Sequence, residues 1–275
     1  MKDIKELFDI TGKVVAITGA GGVLCGCIAK GLAAAGAKTA ILDLNEEAAG
    51  TVADEIVKAG GQAVAVKCNV LERESVEGAY KEVVAKFGAV DVLINGAGGN
   101  NKNATTSDTL SFFDLPADAT RFVFDLNFIG TLLPSQIFGK AMAECGEGQI
   151  MNISSMNAFR PLTKIPAYSA AKAAVSNFTQ WLSVHMCQNY SKNIRVNAIA
   201  PGFFITHQNR FLVWDDEKDN WTPRGQSIVD HTPMGRFGEA EELIGPVVWL
   251  LSDAAKFVTG TIIPIDGGFD AFSGV

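Results

Sequence analysis

The 275-residue chain predicts an α/β fold: one domain spanning 1–275, built as a doubly wound parallel sheet of about seven strands with helices on both faces. Three observations lead there. Short β-branched runs alternate with long helical patterns. Several of those runs are apolar throughout rather than alternating, as strands covered on both faces are. No Pro/Gly/Ser-rich linker, repeat or low-complexity tract divides the chain. Strand–helix alternation at this spacing implies βαβ units with right-handed crossovers.

In order, strands are expected over 13–18, 38–42, 62–67, 90–95, 149–154, 194–200 and 261–265. Helices are expected over 24–35, 46–59, 73–87, 120–144, 167–189 and 239–252. Two stretches break the rhythm, 96–119 and 202–238. Long excursions in a compact domain are usually functional. Both follow a strand's carboxyl end, where open parallel sheets bind ligands, so they are the expected substrate loops.

Composition narrows the function. Hydrophobic residues at 48% against 19% charged suit a buried core. A net charge of −7 argues against nucleic-acid or anionic-membrane partners. No apolar run reaches the ~18 residues a membrane span needs, and the N-terminus lacks an apolar signal core. The five cysteines have neither zinc nor redox-pair spacing and read as reduced thiols. No His/Asp/Glu cluster has metal-ligand spacing, so no metal is expected. Cytoplasmic localisation is the default.

The first strand runs into Thr18-Gly19-Ala20-Gly21-Gly22-Val23-Leu24. Glycines between a strand and a helix let the backbone approach a pyrophosphate at the helix N-terminus. Asp43 ends the second strand, 24 residues after Gly19, close to the ~20 expected of an acid that grips a ribose diol. A carboxylate there accepts from a 2′-hydroxyl and repels a 2′-phosphate, so NAD(H) is expected over NADP(H). A bare glycine turn and a solvated capping Asp are the bland alternatives.

Tyr168 and Lys172 stand four apart on an expected helix and share one face. An ammonium and a nicotinamide cation would draw the phenol from its usual pKa of ~10 toward neutrality. Ser155 lies 13 residues earlier, after a strand, where its hydroxyl can hold a reacting oxygen. Asn127 falls within the preceding helix, where an amide can hold a water for proton relay.

These residues carry a resemblance over nearly the whole length. The chain is similar to the short-chain dehydrogenase/reductase family, whose Asn-Ser-Tyr-Lys tetrad falls on Asn127, Ser155, Tyr168 and Lys172. The family's Asn-Asn-Ala-Gly turn corresponds to Asn95-Gly96-Ala97-Gly98. Its Pro-Gly segment, which closes over nicotinamide, matches Pro201-Gly202, with Phe204 and Thr206 following. The late Asp-Gly-Gly matches Asp266-Gly267-Gly268. The resemblance implies a Rossmann-like fold, NAD(H), and a homotetramer or homodimer. Two departures stand out: Val23 and Cys25 occupy usual glycine positions, and Asn69, before Val70, replaces the usual Asp near adenine.

Within the family, residues 95–100, 154–164 and 202–210 resemble the reductases that interconvert D-fructuronate and D-mannonate. A sugar acid needs a cation for its carboxylate and amides for its hydroxyls. Arg160 or Arg210 is the expected carboxylate partner, with Asn100, Asn157 and His207 among the polar contacts. The alternatives are a dehydrogenase of gluconate or another polyol and, more remotely, a catalytically silent NAD-binding scaffold.

Overall fold

The computed structural model describes residues 2–206 and 210–274. Seven parallel strands form one sheet: β1 (Val14–Thr18), β2 (Lys38–Asp43), β3 (Gln62–Lys67), β4 (Val92–Asn95), β5 (Glu147–Ile153), β6 (Asn193–Pro201) and β7 (Ile262–Ile265). Their order across the sheet is β3-β2-β1-β4-β5-β6-β7. The chain therefore reverses its direction of winding between β1 and β4. That crevice, beyond the strands' carboxyl ends, is where such sheets take a ligand.

The helices are α1 (Val23–Ala34), α2 (Glu46–Lys58), α3 (Arg73–Phe87), α4 (Ala117–Phe124), α5 (Gly130–Cys145), α6 (Pro166–Asn189), α7 (Pro223–Asp230) and α8 (Ile244–Leu251). Side chains along a strand point alternately to the two faces, and here both faces are covered. Val15 and Ile17 of β1 pack with Ile28 and Leu32 of α1, Ile56 of α2 and Val247 of α8. Val14 and Ala16 pack with Val83 of α3, Phe138 of α5 and Leu182 of α6. This is why the strands read as apolar runs.

The seven strands lie where the sequence places them, within two residues at each end. Two expectations need correction. The continuous helix expected over 120–144 is broken by a π-helical turn, Asp125–Ile129, between α4 and α5. Local chemistry disturbs the ladder there. Thr131 Oγ1 donates to the Asn127 carbonyl at 2.8 Å and Ser135 Oγ to the Thr131 carbonyl at 2.7 Å. Pro134, inside α5, has no N–H to give the preceding turn. The stretch 202–238 is not plain loop either. It carries a short turn of helix (Arg210–Val213), a paired Trp214–Asp215 and Asn220–Trp221, and α7. Trp221, Phe203 and Ile205 pack with Val213, Ile228 and Phe237 in a small core of their own.

Candidate active site

The cofactor half is built at the ends of β1, β2 and β4. Register places Thr18 beside Leu42 on one side and Asn95 on the other, so three loops leave the sheet together. Thr18 is fully buried, and its Oγ1 accepts from the N–H groups of Gly96 and Ala97 at 3.1 and 3.2 Å. It braces the crevice from below. Gly19 has φ +67°, and a Cβ there would fall 2.7 Å from Ala97 Cα. Only glycine lets the two loops close at that point.

Asp43 faces the glycine turn. One carboxylate oxygen accepts from Gly21 N–H at 2.9 Å, the other from Asn45 N–H at 2.9 Å. The carboxylate thus shapes the turn while keeping lone pairs for a diol. Gly19, Gly21, Gly22, Asp43, Asn69 and Val70 line one cavity of about 360 Å³, together with Gly96, Ala97 and Gly98. Val23 and Leu24 open α1, with Gly22 as its N-cap. Asn69 turns its amide toward its own loop, donating to Glu72 at 2.8 Å and accepting from Leu71 N–H at 3.1 Å.

The departure at Cys25 is matched by Gly96, which stands where the family's turn has its second Asn. Cys25 is buried against the 95–98 turn, and a Cβ on Gly96 would collide with Cys25 Sγ. The sulfur fills the room that a side chain at position 96 would need. Burial pushes the Cys25 thiol up to about 12, so it stays a neutral space-filler.

The reacting half adjoins this cavity through Gly98. A Cβ on Gly98 would fall 2.6 Å from Asn127 Oδ1 and 3.2 Å from Lys172 Nζ. Asn127 sits in the π turn, fully buried. Its Nδ2 donates to the carbonyls of Gly99 and Val123, both at 2.7 Å, and its Oδ1 accepts from Gly99 N–H at 3.2 Å. With both its protons on backbone the amide clamps Gly99, and Oδ1 keeps one lone pair for a water.

Lys172, on α6, is 4% exposed, and its ammonium donates to the Ile153 carbonyl at 2.8 Å. Burial lowers its pKa to about 8, with Cys25 opposing slightly. The ammonium lies 5.6 Å from the centre of the Tyr168 ring. Tyr168, one turn earlier, packs with Ala104, Val123 and Ala167. Burial pushes its phenol above the usual value, and a hydrogen bond from the Ser155 hydroxyl pulls it partway back. Without a nicotinamide cation beside it, desolvation is the larger effect on the phenol. A phenol held protonated is a proton donor. Ser155 is 8% exposed, caps the turn Met156–Ala158, and accepts from Asn157 N–H at 3.3 Å.

The nicotinamide side is framed by the end of β6. Pro201 is buried, and Gly202 donates to the Ile265 carbonyl at 2.9 Å, against the Asp266-Gly267-Gly268 turn. Phe204 is 6% exposed and bridges to Gly238. Thr206 takes the Arg210 N–H on its carbonyl at 3.0 Å.

The expected carboxylate partners are already engaged. Arg160 Nε donates to the Asp270 carboxylate at 3.2 Å and to its carbonyl at 3.1 Å. Arg210 Nη2 pairs with Asp216 at 2.7 Å, and its guanidinium lies 5.4 Å from the centre of the Trp214 ring. Asn100 donates to Thr105 at 2.8 Å on an exposed turn. Asn157 is 5% exposed, with its Oδ1 buried and unpartnered among the described residues. His207 lies outside the described residues. The bracing by Thr18, the fit of Cys25 to Gly96 and the clamp on Gly99 were not legible in the sequence. Each depends on contacts 28 to 79 residues apart along the chain.

Comparison with known proteins agrees with this sheet order. A family model described as "Enoyl-(Acyl carrier protein) reductase" matches residues 22–270. An uncharacterized oxidoreductase of Haemophilus influenzae is 52% identical, the match covering 97% of this chain and 96% of that protein. A crystal structure from Haemophilus influenzae, provisionally called a D-mannonate oxidoreductase and holding NAD, is 50% identical with TM-score 0.91, covering 99% of this chain and all of the other. A gluconate 5-dehydrogenase of Burkholderia cenocepacia, in complex with NADP and tartrate, is 31% identical with TM-score 0.87, covering 98% and 100%. On the strength of sheet order, crevice and these likenesses, the chain belongs to the short-chain dehydrogenase/reductase family of oxidoreductases.

Proposed function

We propose that the protein is an NAD(H)-dependent reductase of a sugar-acid ketone, interconverting D-fructuronate and D-mannonate. The observation that carries the reading is the placing of Tyr168 one helical turn before the buried Lys172, whose ammonium lies 5.6 Å from the centre of the phenol ring. Gly98 joins these groups to the crevice that fits a dinucleotide.

When bound, a nicotinamide dinucleotide supplies the hydride for reduction or accepts it in oxidation, and its oxidised ring adds positive charge beside the phenol. The Ser155 hydroxyl holds the substrate oxygen and steadies its developing negative charge. Tyr168 gives that oxygen its proton, as general acid. The Lys172 ammonium, anchored on the Ile153 carbonyl, would offer its remaining protons to a cofactor's ribose hydroxyls and to the phenol. Asn127 keeps the Gly98–Gly99 turn rigid, which would help to fix a bound nicotinamide for reaction. Asp43 accepts the adenosine ribose diol, and its charge disfavours a 2′-phosphate.

The sugar-acid part is supported by the likeness to the Haemophilus structure and by the match of residues 95–100, 154–164 and 202–210 to those reductases. The test is NADH oxidation with D-fructuronate beside 5-keto-D-gluconate and neutral keto sugars. Fructuronate is expected to give the highest kcat/KM, and a preference for ketogluconate would move the protein to the gluconate branch. Tyr168→Phe is expected to keep NADH binding and lose about 10²–10⁴-fold in turnover. Near-normal turnover would refute the role of the phenol.

A further inference from the structure

Arg160 and Arg210 each already pair with an acid, Asp270 and Asp216, through a single nitrogen. A cavity of about 450 Å³ lies between the loop that runs from Ser155 to Tyr168 and helix α7. Its volume is in the ordinary range for a small-molecule site. Arg160 lines it while paired with Asp270, and two further cations open onto it, Lys164 from the loop and Arg224 from the first turn of α7. Among the described residues neither side chain carries an ion pair or a hydrogen bond. Phe203, which directly follows Gly202, and Phe269 form part of the wall, with ring centres 5.2 Å apart. His231 completes it. Its Nδ1 donates to the Ser227 carbonyl at 2.7 Å, which leaves Nε2 as an acceptor for a sugar hydroxyl.

We propose that Arg224, assisted by Lys164, is the carboxylate anchor of the substrate site. The inference rests on the sugar-acid reading above and deepens it. In a hexuronate reduced at its ketone, the carboxylate and the ketone lie toward opposite ends of the carbon chain. The anchor must therefore stand away from Ser155 while remaining on the same loop system. Lys164 meets both conditions: it is four residues before Tyr168, and its carbonyl accepts from Thr106 N–H at 2.9 Å, tying it to the 96–119 loop. Arg224 comes from the other wall. Its planar fork can take a carboxylate in two parallel bonds, and the Lys164 ammonium adds a point charge. An uncommitted guanidinium brings its full charge and its whole fork to a carboxylate, whereas Arg160 and Arg210 share theirs with Asp270 and Asp216.

The test uses the whole protein with NADH bound. D-Mannonate is titrated into the enzyme–NADH complex, which cannot turn over, and binding is read by calorimetry. Arg224→Ala is expected to weaken D-mannonate about ten- to a hundredfold, and to raise the KM for D-fructuronate far more than it changes kcat. Arg224→Lys should recover part of the loss, because charge returns without the fork. The pair Arg224→Ala with Lys164→Ala should lose more than either alone. Arg224 is exposed, and unchanged NADH affinity and far-ultraviolet dichroism show that the variants fold. If the parent complex binds the acid and the double variant binds it within twofold as well, the anchor is wrong and the sugar-acid reading stands. If the parent complex binds neither D-mannonate nor D-gluconate, both fall together.

Discussion

Single side chains settle the fine geometry of the crevice, and Cys25 with Gly96 is the clearest case. The family's usual glycine and asparagine are exchanged for a larger and a smaller residue that touch each other. Gly96→Asn alone overpacks a buried site and is expected to cost roughly 1–3 kcal/mol. Adding Cys25→Gly should return much of that, giving a coupling well outside additivity in a double-mutant cycle of urea midpoints. Additive losses would mean that the two positions do not share space. Asp43 makes a second prediction at this scale. Asp43→Ser removes the charge proposed to exclude a 2′-phosphate, so the ratio of NADH to NADPH kcat/KM is expected to fall at least about tenfold, part of it through the Gly21 N–H left without its partner. An unchanged ratio would place cofactor choice elsewhere. Asp43 was legible from sequence because its strand end and spacing from Gly19 are local. The engagement of Arg160 and Arg210 was not, since their acidic partners are chosen by how loops fold back.

The π turn between α4 and α5 is a device at the scale of an element. A regular helix would carry Asn127 on a surface set by 3.6 residues per turn. The inserted residue re-aims it, so that one amide holds Gly99 from both its N–H and its carbonyl. π bulges inside helices often occur at functional sites. Asn127→Ala leaves those two backbone groups without partners and frees the turn that joins the cofactor crevice to the phenol. Turnover is expected to fall roughly ten- to a hundredfold, with a weaker NADH complex, while Tyr168 and Ser155 stay intact. A variant with full turnover and unchanged NADH affinity would make Asn127 a bystander. Hydrophobic pattern revealed the helix but not its break, because Thr131, Pro134 and Ser135 act on the backbone without disturbing apolar periodicity.

Over the whole molecule, burying Lys172 ties the proposed reaction to stability. Its pKa is lowered from 10.5 to about 8, so the unfolded chain holds a proton that the folded chain sheds between those values. In that window stability rises with pH. Cys25 and Cys68 act in the opposite sense: burial pushes both up to about 12, and their stabilisation is lost as pH climbs beyond 9. The cofactor-free protein is thus expected to gain up to about 1 kcal/mol between pH 8 and 9 and to lose it again above, where two cysteines outweigh one lysine. Lys172→Met should abolish the gain. Urea unfolding across that range measures it, and equal slopes in the two proteins would show that the ammonium is not held at a cost.

The sequence by itself determined the sheet, its parallel winding, the crevice at the strand ends and the four residues of the proposed reaction. Those features follow from local periodicity, from turn glycines and from intervals along one helix or between a strand and its successor. Only the tertiary structure decided which charges remain free to meet a substrate, which amide is spent on backbone, and which way the phenol shifts. Those outcomes depend on desolvation and on partners brought together from distant parts of the chain, and neither is encoded in the neighbours of any one residue.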